Sequence, residues 1–378
     1  MTIDISPPVP LSEESRPITT ETCVLNNGMH IPIAGHGSME KGWGVDPTET
    51  ARVVTGLSQA IRQGLRLIDT AKVYANEELV GRAVRESDVP REEITIVTKL
   101  WNADHHRVQE AFEESLGRLM LDCNSTREKL SLTLSFGDTD VDIYIMHWPC
   151  ALAESEDGLN GIPIPIDAQP TFLETYSAME KLIGPRCRAI GVSNFTQSTL
   201  TTLLAQCNVI PVINEIEIHP LFPQTNLVPW CQEQGISILA WGPLAGGPAS
   251  NYGQTFREIY TNPTLRSLGK KYFPNYDPNQ AVGAVLLSWL YTRGIVAIPH
   301  STSIERILEN LRCLTRLTAE DVLVLNGIHG ELGGYKMLIE GSEEVLWYED
   351  GPGGRGRTLF GWTTSEIGWV DEKGEVVV

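Results

Sequence analysis

The chain lacks the features that would place it in a membrane, in the secretory pathway or on nucleic acid. Its 378 residues contain no uninterrupted apolar stretch near the roughly 20 residues that a membrane-spanning helix needs. Residues 1–17 are acidic and proline-rich, without the charged-then-apolar pattern of a signal peptide. Lys and Arg number 29 against 48 Asp and Glu, and the net charge of −19 leaves no basic footprint for nucleic acid. These absences favour a cytoplasmic protein with neither membrane nor nucleic-acid partners.

Paired cysteines are also absent. The seven cysteines are scattered singly without a CxxC pair, which favours reduced thiols in the cytoplasm. His105 and His106 are adjacent, but neighbouring histidines on a solvated loop are poor ligands without a third residue, so we predict no metal site. The hydrophobic fraction of 42% and charged fraction of 20% are typical of a globular enzyme.

Strand-like and helix-like segments alternate along most of the chain. The strand-like runs are IAGHG, LRLID, ITIVTK, VDIYIMH, CRAIGV, PVINEIE, ISILAW and IVAIP, and a helix-like segment follows each one. Eight such units predict an α/β fold with parallel strands and right-handed crossovers, a (β/α)8 TIM barrel. The segment CVLNNGMHIPI precedes them and predicts a β-hairpin cap, because Asn27-Gly28 is a favoured tight-turn pair.

A doubly wound open sheet is the alternative fold. That fold would require a glycine-rich phosphate turn after its first strand. The fragment at residues 35–40 lacks the third glycine of this pattern. The closed barrel is therefore the preferred prediction.

Three regions are expected along the chain. Residues 1–20 are predicted to be a disordered N-terminal tail, residues 21–330 the barrel, and residues 331–378 a C-terminal loop or tail. Residues of about 123–139 form an inserted loop in the barrel, because a helix-to-strand connection needs only about 2–6 residues. The insert precedes a strand, so it is predicted to lie at the amino-terminal face, away from catalysis.

The C-terminal region is rich in aromatic residues. It contains Trp347, Phe360, Trp362 and Trp369. Either these residues belong to a frayed tail, or they fold over the mouth of a pocket at the carboxyl face of the barrel.

Polar residues end several of the predicted strands. Asp69 ends LRLID, Lys99 ends ITIVTK and His147 ends VDIYIMH, while Tyr74 follows the first of these strands in a loop. Parallel barrels place their chemistry at the carboxyl ends of strands. A carboxylate, a lysine, a histidine and a phenol at such ends are the parts of a proton-transfer site.

Tyr74 is the predicted proton donor of this site. A tyrosine in water has a pKa of about 10, too high for efficient donation near neutral pH. We expect the ammonium of Lys99 to lower the pKa of Tyr74, and Asp69 to keep Lys99 charged. Taken singly, Tyr74 fits an ordinary loop tyrosine and Lys99 a solvated strand end. His147 fits either a core histidine or a group that orients a carbonyl oxygen.

Seven segments of the chain resemble the aldo-keto reductase family. They are LNNGMHIPIAGHG, GLRLIDTAKVYANEELVGRAV, ITIVTKLW, VDIYIMHWP, RAIGVSNF, PVINEIEIHP and AIPHSTSIERILENL, in the order of that family. The resemblance implies a (β/α)8 barrel that binds a nicotinamide cofactor in an extended form without a Rossmann fold. It also implies that Tyr74 is the acid, that Lys99 and Asp69 tune it, that His147 positions the carbonyl, and that Trp148 lines the substrate pocket.

The same resemblance implies the cofactor contacts. Ser193 and Asn194 would hydrogen-bond to the nicotinamide carboxamide, although Asn194 in this turn also fits a helix cap. The remaining implied contacts are Glu215, Trp241, Leu244, His300, Ser301, Arg306 and Asn310.

Three of these positions depart from the family pattern. Glu215 stands where the family usually has glutamine, and an ionised glutamate accepts hydrogen bonds but cannot donate them. Trp241 replaces a tyrosine that stacks on the nicotinamide, and an indole stacks at least as well. His300 replaces a lysine and carries a full positive charge only when protonated. Arg306 is retained, and an arginine can bind a phosphate in a bidentate manner.

The sequence therefore predicts an NADP(H)-dependent oxidoreductase that reduces an aldehyde or ketone to the alcohol, with Tyr74 as general acid. The expected partner is a small carbonyl substrate, and the protein is expected to be a monomer. NAD(H) is the second candidate cofactor. A polyol or alcohol dehydrogenase working in the oxidative direction is one alternative. A cofactor-binding regulatory barrel without turnover is the other. The three departures from the family pattern favour it, whereas the presence of the full tetrad of Asp69, Tyr74, Lys99 and His147 opposes it.

Overall fold

The fold is described from a computed structural model. It describes residues 17–39, 48–121, 141–153, 161–248, 254–341, 347–348, 357–371, 373 and 376–377. The predicted insert at about 123–139 and most of the predicted N-terminal tail lie outside these residues. Within the same ranges, no helix is long and apolar enough to cross a membrane.

An antiparallel hairpin opens the described chain. Its strands are β1 (Thr22–Val24) and β2 (His30–Pro32), and Gly28 in the connecting turn has a φ of 84°. Positive φ is a conformation that glycine adopts without steric cost. Leu25 and Ile31 of this hairpin are buried together with the side chains inside the barrel. The predicted hairpin cap is confirmed.

Eight parallel strands form the barrel. They are β3 (His36–Gly37), β4 (Leu67–Asp69), β5 (Thr95–Leu100), β6 (Val141–Met146), β7 (Cys187–Ser193), β8 (Ile213–Glu217), β9 (Ser237–Trp241) and β10 (Val296–Ala297), paired in chain order. A parallel bridge between Ala34 and Ala297 joins the first strand region to the last. The Gly35 N–H donates to the Ala297 carbonyl at 2.9 Å across this junction. The predicted (β/α)8 architecture is confirmed.

Helices lie between and after the strands. Those described before β10 are α1 (Thr50–Arg62), α2 (Glu77–Glu86), α3 (Val108–Leu119), α4 (Phe172–Glu180), α5 (Gln197–Leu204), α6 (Leu227–Glu233), α7 (Gln254–Glu258), α8 (Pro263–Tyr272) and α9 (Pro278–Thr292). After β10 come α10 (Ile304–Arg312) and α11 (Ala319–Glu331).

The apolar core has two layers separated by the strands. Inside the barrel, alternate strand residues such as Val97, Ile143 and Leu239 pack with the hairpin. Outside it, residues such as Ile96 and Tyr144 pack against the helices. Strands buried on both faces read as continuous apolar runs, which is why the sequence pattern located them.

Both ends of the described chain lie against the barrel. Near the N-terminus, the Thr19 N–H donates to the Leu311 carbonyl at 3.3 Å and Ile18 packs on Gly64. These residues belong to the predicted tail of residues 1–20, so its described part follows the barrel surface.

The C-terminal segment contains a strand pair, β11 (Trp347–Tyr348) with β12 (Thr358–Leu359), and a short helix, α12 (Thr364–Ile367). Its residues Phe360, Trp362 and Trp369 are buried. Of the two readings of these aromatics, the described residues support packing against the barrel.

Helices α2 and α3 approach most closely at Gly81. A Cβ built on Gly81 would lie 1.7 Å from the Leu119 carbonyl oxygen, which the Arg85 guanidinium also contacts at 2.8 Å. Backbone cannot yield as a flexible side chain can. We expect Gly81→Ala to lower the free energy of unfolding by about 1–3 kcal/mol, the usual cost of overpacking. Urea denaturation would measure this loss.

Gly117 on α3 provides the matched control. It is exposed, and a Cβ built there meets no atom within 4 Å. Gly117→Ala should therefore raise the free energy of unfolding by about 0.5–1 kcal/mol through the entropy of the unfolded chain. Equal effects of the two substitutions would contradict this account of the helix contact.

Candidate active site

Four side chains meet at the carboxyl end of the barrel. Asp69 is the last residue of β4, Lys99 lies near the end of β5, and His147 directly follows β6. Tyr74 ends a 3-10 turn formed by Lys72–Tyr74. All four are buried, with at most 6% of their surface exposed. The structure thus brings together the four residues predicted from the strand ends.

Lys99 is the centre of this group. Its Nζ donates to Asp69 Oδ1 at 2.5 Å and Oδ2 at 2.6 Å, and to the Thr70 carbonyl at 3.1 Å. It lies 4.9 Å from the centroid of the Tyr74 ring. Burial of the ammonium would lower the pKa of Lys99, but the charge of Asp69 acts against burial, and the pKa is raised. Lys99 is therefore charged, as predicted.

Tyr74 and His147 face each other. The Tyr74 hydroxyl lies 3.5 Å from His147 Nε2, and the two rings meet edge to face. Burial, and then the charge of Lys99, holds the pKa of His147 well below its ordinary value. His147 is therefore a neutral imidazole. It contacts the Tyr74 phenol directly, which supports the orienting role over that of an inert core histidine.

The expected direction of the Tyr74 pKa shift is wrong. Burial raises the pKa of Tyr74 above its ordinary value, and although Lys99 lowers it, the negative charge of Asp69 adds to the increase. The phenolate would lose its hydration in this dry site, and one ammonium does not compensate for that loss. Tyr74 therefore holds its proton firmly, which suits a donor that must be protonated when the substrate arrives.

Glu215 belongs to the same cluster. It lies on β8 with 1% of its surface exposed, and its Oε1 is 3.4 Å from Lys99 Nζ. Burial, followed by the negative charge of Asp69, raises the pKa of Glu215 well above its ordinary value. The sequence alone predicts an ionised Glu215. In this environment it is a neutral carboxylic acid, which can donate a hydrogen bond as well as accept one.

Asn194 connects the tetrad to Trp241. Its Nδ2 donates to the His147 carbonyl at 2.9 Å and to Ser193 Oγ at 3.0 Å, while its Oδ1 accepts from Trp241 Nε1 at 3.0 Å. The indole N–H thus holds the amide, which gives the tryptophan at this position a structural role. Asn194 has a φ of 61° and is not the helix cap, because Thr196 caps α5 instead.

The remaining predicted cofactor residues lie in two nearby segments. Leu244 is in the loop after β9, where Gly242, Ala245, Gly246 and Gly247 all have positive φ. His300 and Ser301 follow β10, and His300 Nδ1 lies 3.0 Å from the Gly37 carbonyl. Arg306 is exposed in the first turn of α10, and Asn310 lies one turn further along that helix.

The sequence alone predicts no role for Trp101 and no contact partner for Phe360. The Trp101 ring meets the His147 ring edge to face, with centroids 5.2 Å apart, and Phe360 in turn packs against both Trp101 and Trp148. Trp369 also packs on Trp148. Trp101 follows Lys99 by two residues, so strand alternation was a signal that could have found it. Phe360 had no such local signal.

A cavity of about 740 Å³ opens beside this cluster. Its lining includes Asn194, Trp241, Glu217 and Trp369. As far as the described residues show, neither Tyr74 nor His147 lines it. The cavity therefore borders Trp241, whereas the Tyr74 phenol and the His147 imidazole lie outside its lining.

His105 is buried rather than solvated, and burial, then the charge of His106, lowers the pKa of His105 to about 3. Within the part of the chain that the structure describes, no three His, Cys, Asp or Glu residues are grouped as a metal site would require.

Comparisons with known proteins agree with this geometry. The model of the aldo/keto reductase family matches residues 33–328. Glycerol 2-dehydrogenase (NADP(+)) of Saccharomyces cerevisiae is 35% identical over 329 residues, covering 83% of this chain and 93% of the relative. Glyoxal reductase of Bacillus subtilis is 33% identical over 293 residues, covering 77% and 86%.

The fold is likewise shared with a solved structure. A Bombyx mori aldo-keto reductase in complex with NADP superposes with a TM-score of 0.65 at 33% identity, covering 81% of this chain and 92% of that one. The match extends over nearly all of the barrel. This chain belongs to the aldo/keto reductase family.

Proposed function

We propose that this reductase uses NADP(H) to convert a small aldehyde or ketone to its alcohol, with Tyr74 as the general acid. The observation that carries the proposal is the convergence of Tyr74, Lys99, Asp69 and His147 at one end of the barrel. The barrel of residues 21–330 supplies this catalytic group, and residues 331–378 contribute its cover.

The residues present fit a nicotinamide cofactor. Trp241 is partly exposed and offers a ring for stacking, with Ser193 and Asn194 beside it. Among the described residues, none offers a hydrogen-bond partner to the buried Glu215 Oε2, so this atom is available to a carboxamide. When bound, NADPH supplies the hydride that reduces the carbonyl carbon.

The chain's own residues manage the proton. Tyr74 is protonated in its buried site and donates from its hydroxyl to the carbonyl oxygen. His147 is neutral and can hold the same oxygen through a ring N–H, so two donors stabilise the charge that develops there. Lys99, fixed by Asp69, stabilises the phenolate that remains after the transfer.

The adenosine phosphate is assigned to the start of α10. Backbone N–H groups at a helix N-terminus attract anions, and Ser301 and Arg306 flank this terminus. His300 stands beside them, with its Nδ1 at 3.0 Å from the Gly37 carbonyl. The same segment includes Asn310 one turn along, and Leu244 contributes from the loop after β9.

We also propose that the protein acts as a cytoplasmic monomer without membrane or nucleic-acid partners. All four catalytic side chains come from one chain, so catalysis needs no second copy. The six described cysteines are free, as expected for a reducing compartment. The net charge of −19 disfavours phosphate backbones.

Oxidation of an alcohol or polyol is the same reaction in reverse, and the same residues serve it with Tyr74 as base. A regulatory barrel without turnover is disfavoured, because it would need neither the buried ammonium nor the phenol. Loss of nicotinamide absorbance with a reactive aldehyde, measured across a carbonyl panel, separates the regulatory barrel from the two enzymes.

Removing the Tyr74 hydroxyl should abolish proton donation and little else. We expect Tyr74→Phe to lower turnover by at least about 100-fold, the usual scale for loss of a general acid. Its affinity for NADPH, measured by quenching of tryptophan fluorescence, should stay close to that of the parent protein. Tyr176→Phe is the control, because the Tyr176 hydroxyl donates to the Val209 carbonyl at 3.1 Å, outside the site. Near-parent turnover of Tyr74→Phe would disprove the mechanism.

Arg306 should determine the choice between cofactors. Arg306→Ala is expected to weaken NADPH binding by about 10- to 100-fold, the range for a charge-assisted hydrogen bond to phosphate, without changing NADH binding. Arg312→Ala, at the other end of α10, is the control. A parent protein that prefers NADH would refute the assignment.

The turn at Phe360 should limit substrate size. Phe360 and Gly361 have φ values of 49° and 83°, and the backbones of Leu359 and Trp362 hydrogen-bond to each other, as in a type I′ turn. A phenylalanine is unusual at positive φ, and its ring is held between Trp101 and Trp148.

Phe360→Asn removes the ring but keeps a residue that favours this turn. We expect kcat/KM for a naphthyl aldehyde to rise by about 10-fold relative to that for propionaldehyde, the scale of a reshaped apolar pocket. The small aldehyde serves as the internal control. An unchanged ratio would show that Phe360 does not form the ceiling of the pocket.

A further inference from the structure

The buried cluster around Lys99 contains two carboxyl groups and one ammonium group. Asp69 and Glu215 both approach Lys99, and their side chains are 3% and 2% exposed. If both carboxyls were ionised, the group of three would carry a net negative charge in a site buried from solvent. Such uncompensated burial is strongly unfavourable, and two carboxyls that share a site do not both ionise.

The contacts identify Glu215 as the carboxyl that keeps its proton. Both carboxylate oxygens of Asp69 accept hydrogen bonds from Lys99 Nζ, at 2.5 and 2.6 Å, whereas Glu215 Oε1 lies 3.4 Å from the same nitrogen. Both carboxyls approach the same ammonium, and a proton on one of them relieves the repulsion between them. The ammonium already neutralises Asp69, so the proton belongs to Glu215.

Within the part of the chain that the structure describes, the residues beside Glu215 on the neighbouring elements add no second cation. From the turn before α2, Tyr74 adds a neutral phenol. In the neighbouring strands, the register partners of Glu215 are Ser193 on β7 and Leu239 on β9, and neither ionises near neutral pH.

Two residues further along β8, Glu217 is another acid. It is engaged separately: its Oε1 lies 2.8 Å from His219 Nε2, and the N–H groups of Leu338 and Ile339 donate to its carboxylate. Lys99 is therefore the cation that acts on Glu215, and it is shared with Asp69.

We propose that Glu215 discriminates between the two oxidation states of the nicotinamide according to its own protonation. This inference rests on the proposed function, because it places the carboxamide beside Glu215. The nicotinamide ring is neutral in NADPH and cationic in NADP+. Protonated Glu215 accommodates both rings, whereas ionised Glu215 attracts the cationic ring and favours NADP+. A glutamine at this position, as in the family pattern, could not make this distinction.

The primary test compares affinities as a function of pH. The dissociation constants of NADP+ and NADPH are measured by fluorescence from pH 6 to 10 in the parent protein and in Glu215→Gln. Both cofactors carry the adenosine phosphate, so effects of His300 and of that phosphate cancel in their ratio. In the parent, the affinity for NADP+ relative to that for NADPH should rise by about 10-fold or more as the pH increases and Glu215 loses its proton. In Glu215→Gln the ratio should stay flat, and in Glu233→Gln, altered at an exposed position on α6, it should follow the parent.

A second measurement needs no variant. Binding of NADP+ should release protons from the parent protein, seen by calorimetry in two buffers of different ionisation enthalpy, and NADPH should release fewer. If NADP+ and NADPH both bind but the parent ratio is flat, or if Glu215→Gln keeps the parent slope, this inference is overturned and the proposed function stands. If neither cofactor binds, both fail together.

Thermal unfolding without cofactor tests the protonation state itself. The pKa of Glu215 is raised in the folded state, so the folded chain keeps a proton that the unfolded chain loses above a pH of about 4.3. Stability of the parent therefore falls as pH rises from there towards the folded pKa. The melting temperature of Glu215→Gln, relative to the parent, should increase by about 2 °C or more over this range. A constant difference would mean that Glu215 is already ionised, and the inference would be rejected.

Discussion

The ammonium of Lys99 is withdrawn completely from solvent, and the carboxyl end of the barrel is arranged to compensate for that burial. An unpaired buried charge would cost several kcal/mol. Asp69 on the neighbouring strand and the Thr70 carbonyl satisfy its donors. Both depend on the register of β4 against β5, in which a slip of one residue would turn Lys99 to the other face. The register of the barrel strands therefore also determines where the residues of the proposed proton transfer lie.

Much of the fold followed from the sequence, for a physical reason. Strands buried on both faces are continuous apolar runs, and a polar residue at the end of such a run is conspicuous, as Asp69, Lys99 and His147 were. The hairpin at Asn27-Gly28 was equally local. What escaped was long-range. Nothing near Phe360 in the chain indicates that it packs on Trp101 and Trp148, because those contacts join residues more than two hundred positions apart.

The electrostatics could be predicted only in part. Counting charges indicated that Lys99 would lower the pKa of Tyr74, but the sequence does not show how dry the site is, and burial decides the direction. The same omission made Glu215 look like an ordinary carboxylate. For Asn194, local turn chemistry suggested a helix cap, whereas tertiary contacts with His147 and Trp241 hold its amide. Charge and spacing can be read from the sequence, but desolvation requires the folded structure.

The chemical groups and the cover over them come from separate parts of the chain. Lys99 and His147 are held by barrel strands and their ends, and Tyr74 by the turn after β4. Phe360 instead lies on a turn whose Gly361 packs against Pro163, where a Cβ would come within 2.2 Å of that proline. Substitutions in the turn can reshape the space above the phenol without disturbing the buried ammonium. If Phe360 limits substrate size as proposed, reactivity and substrate range are separable traits in this molecule. Selection can act on the C-terminal segment to change what is reduced while the means of reduction is inherited intact.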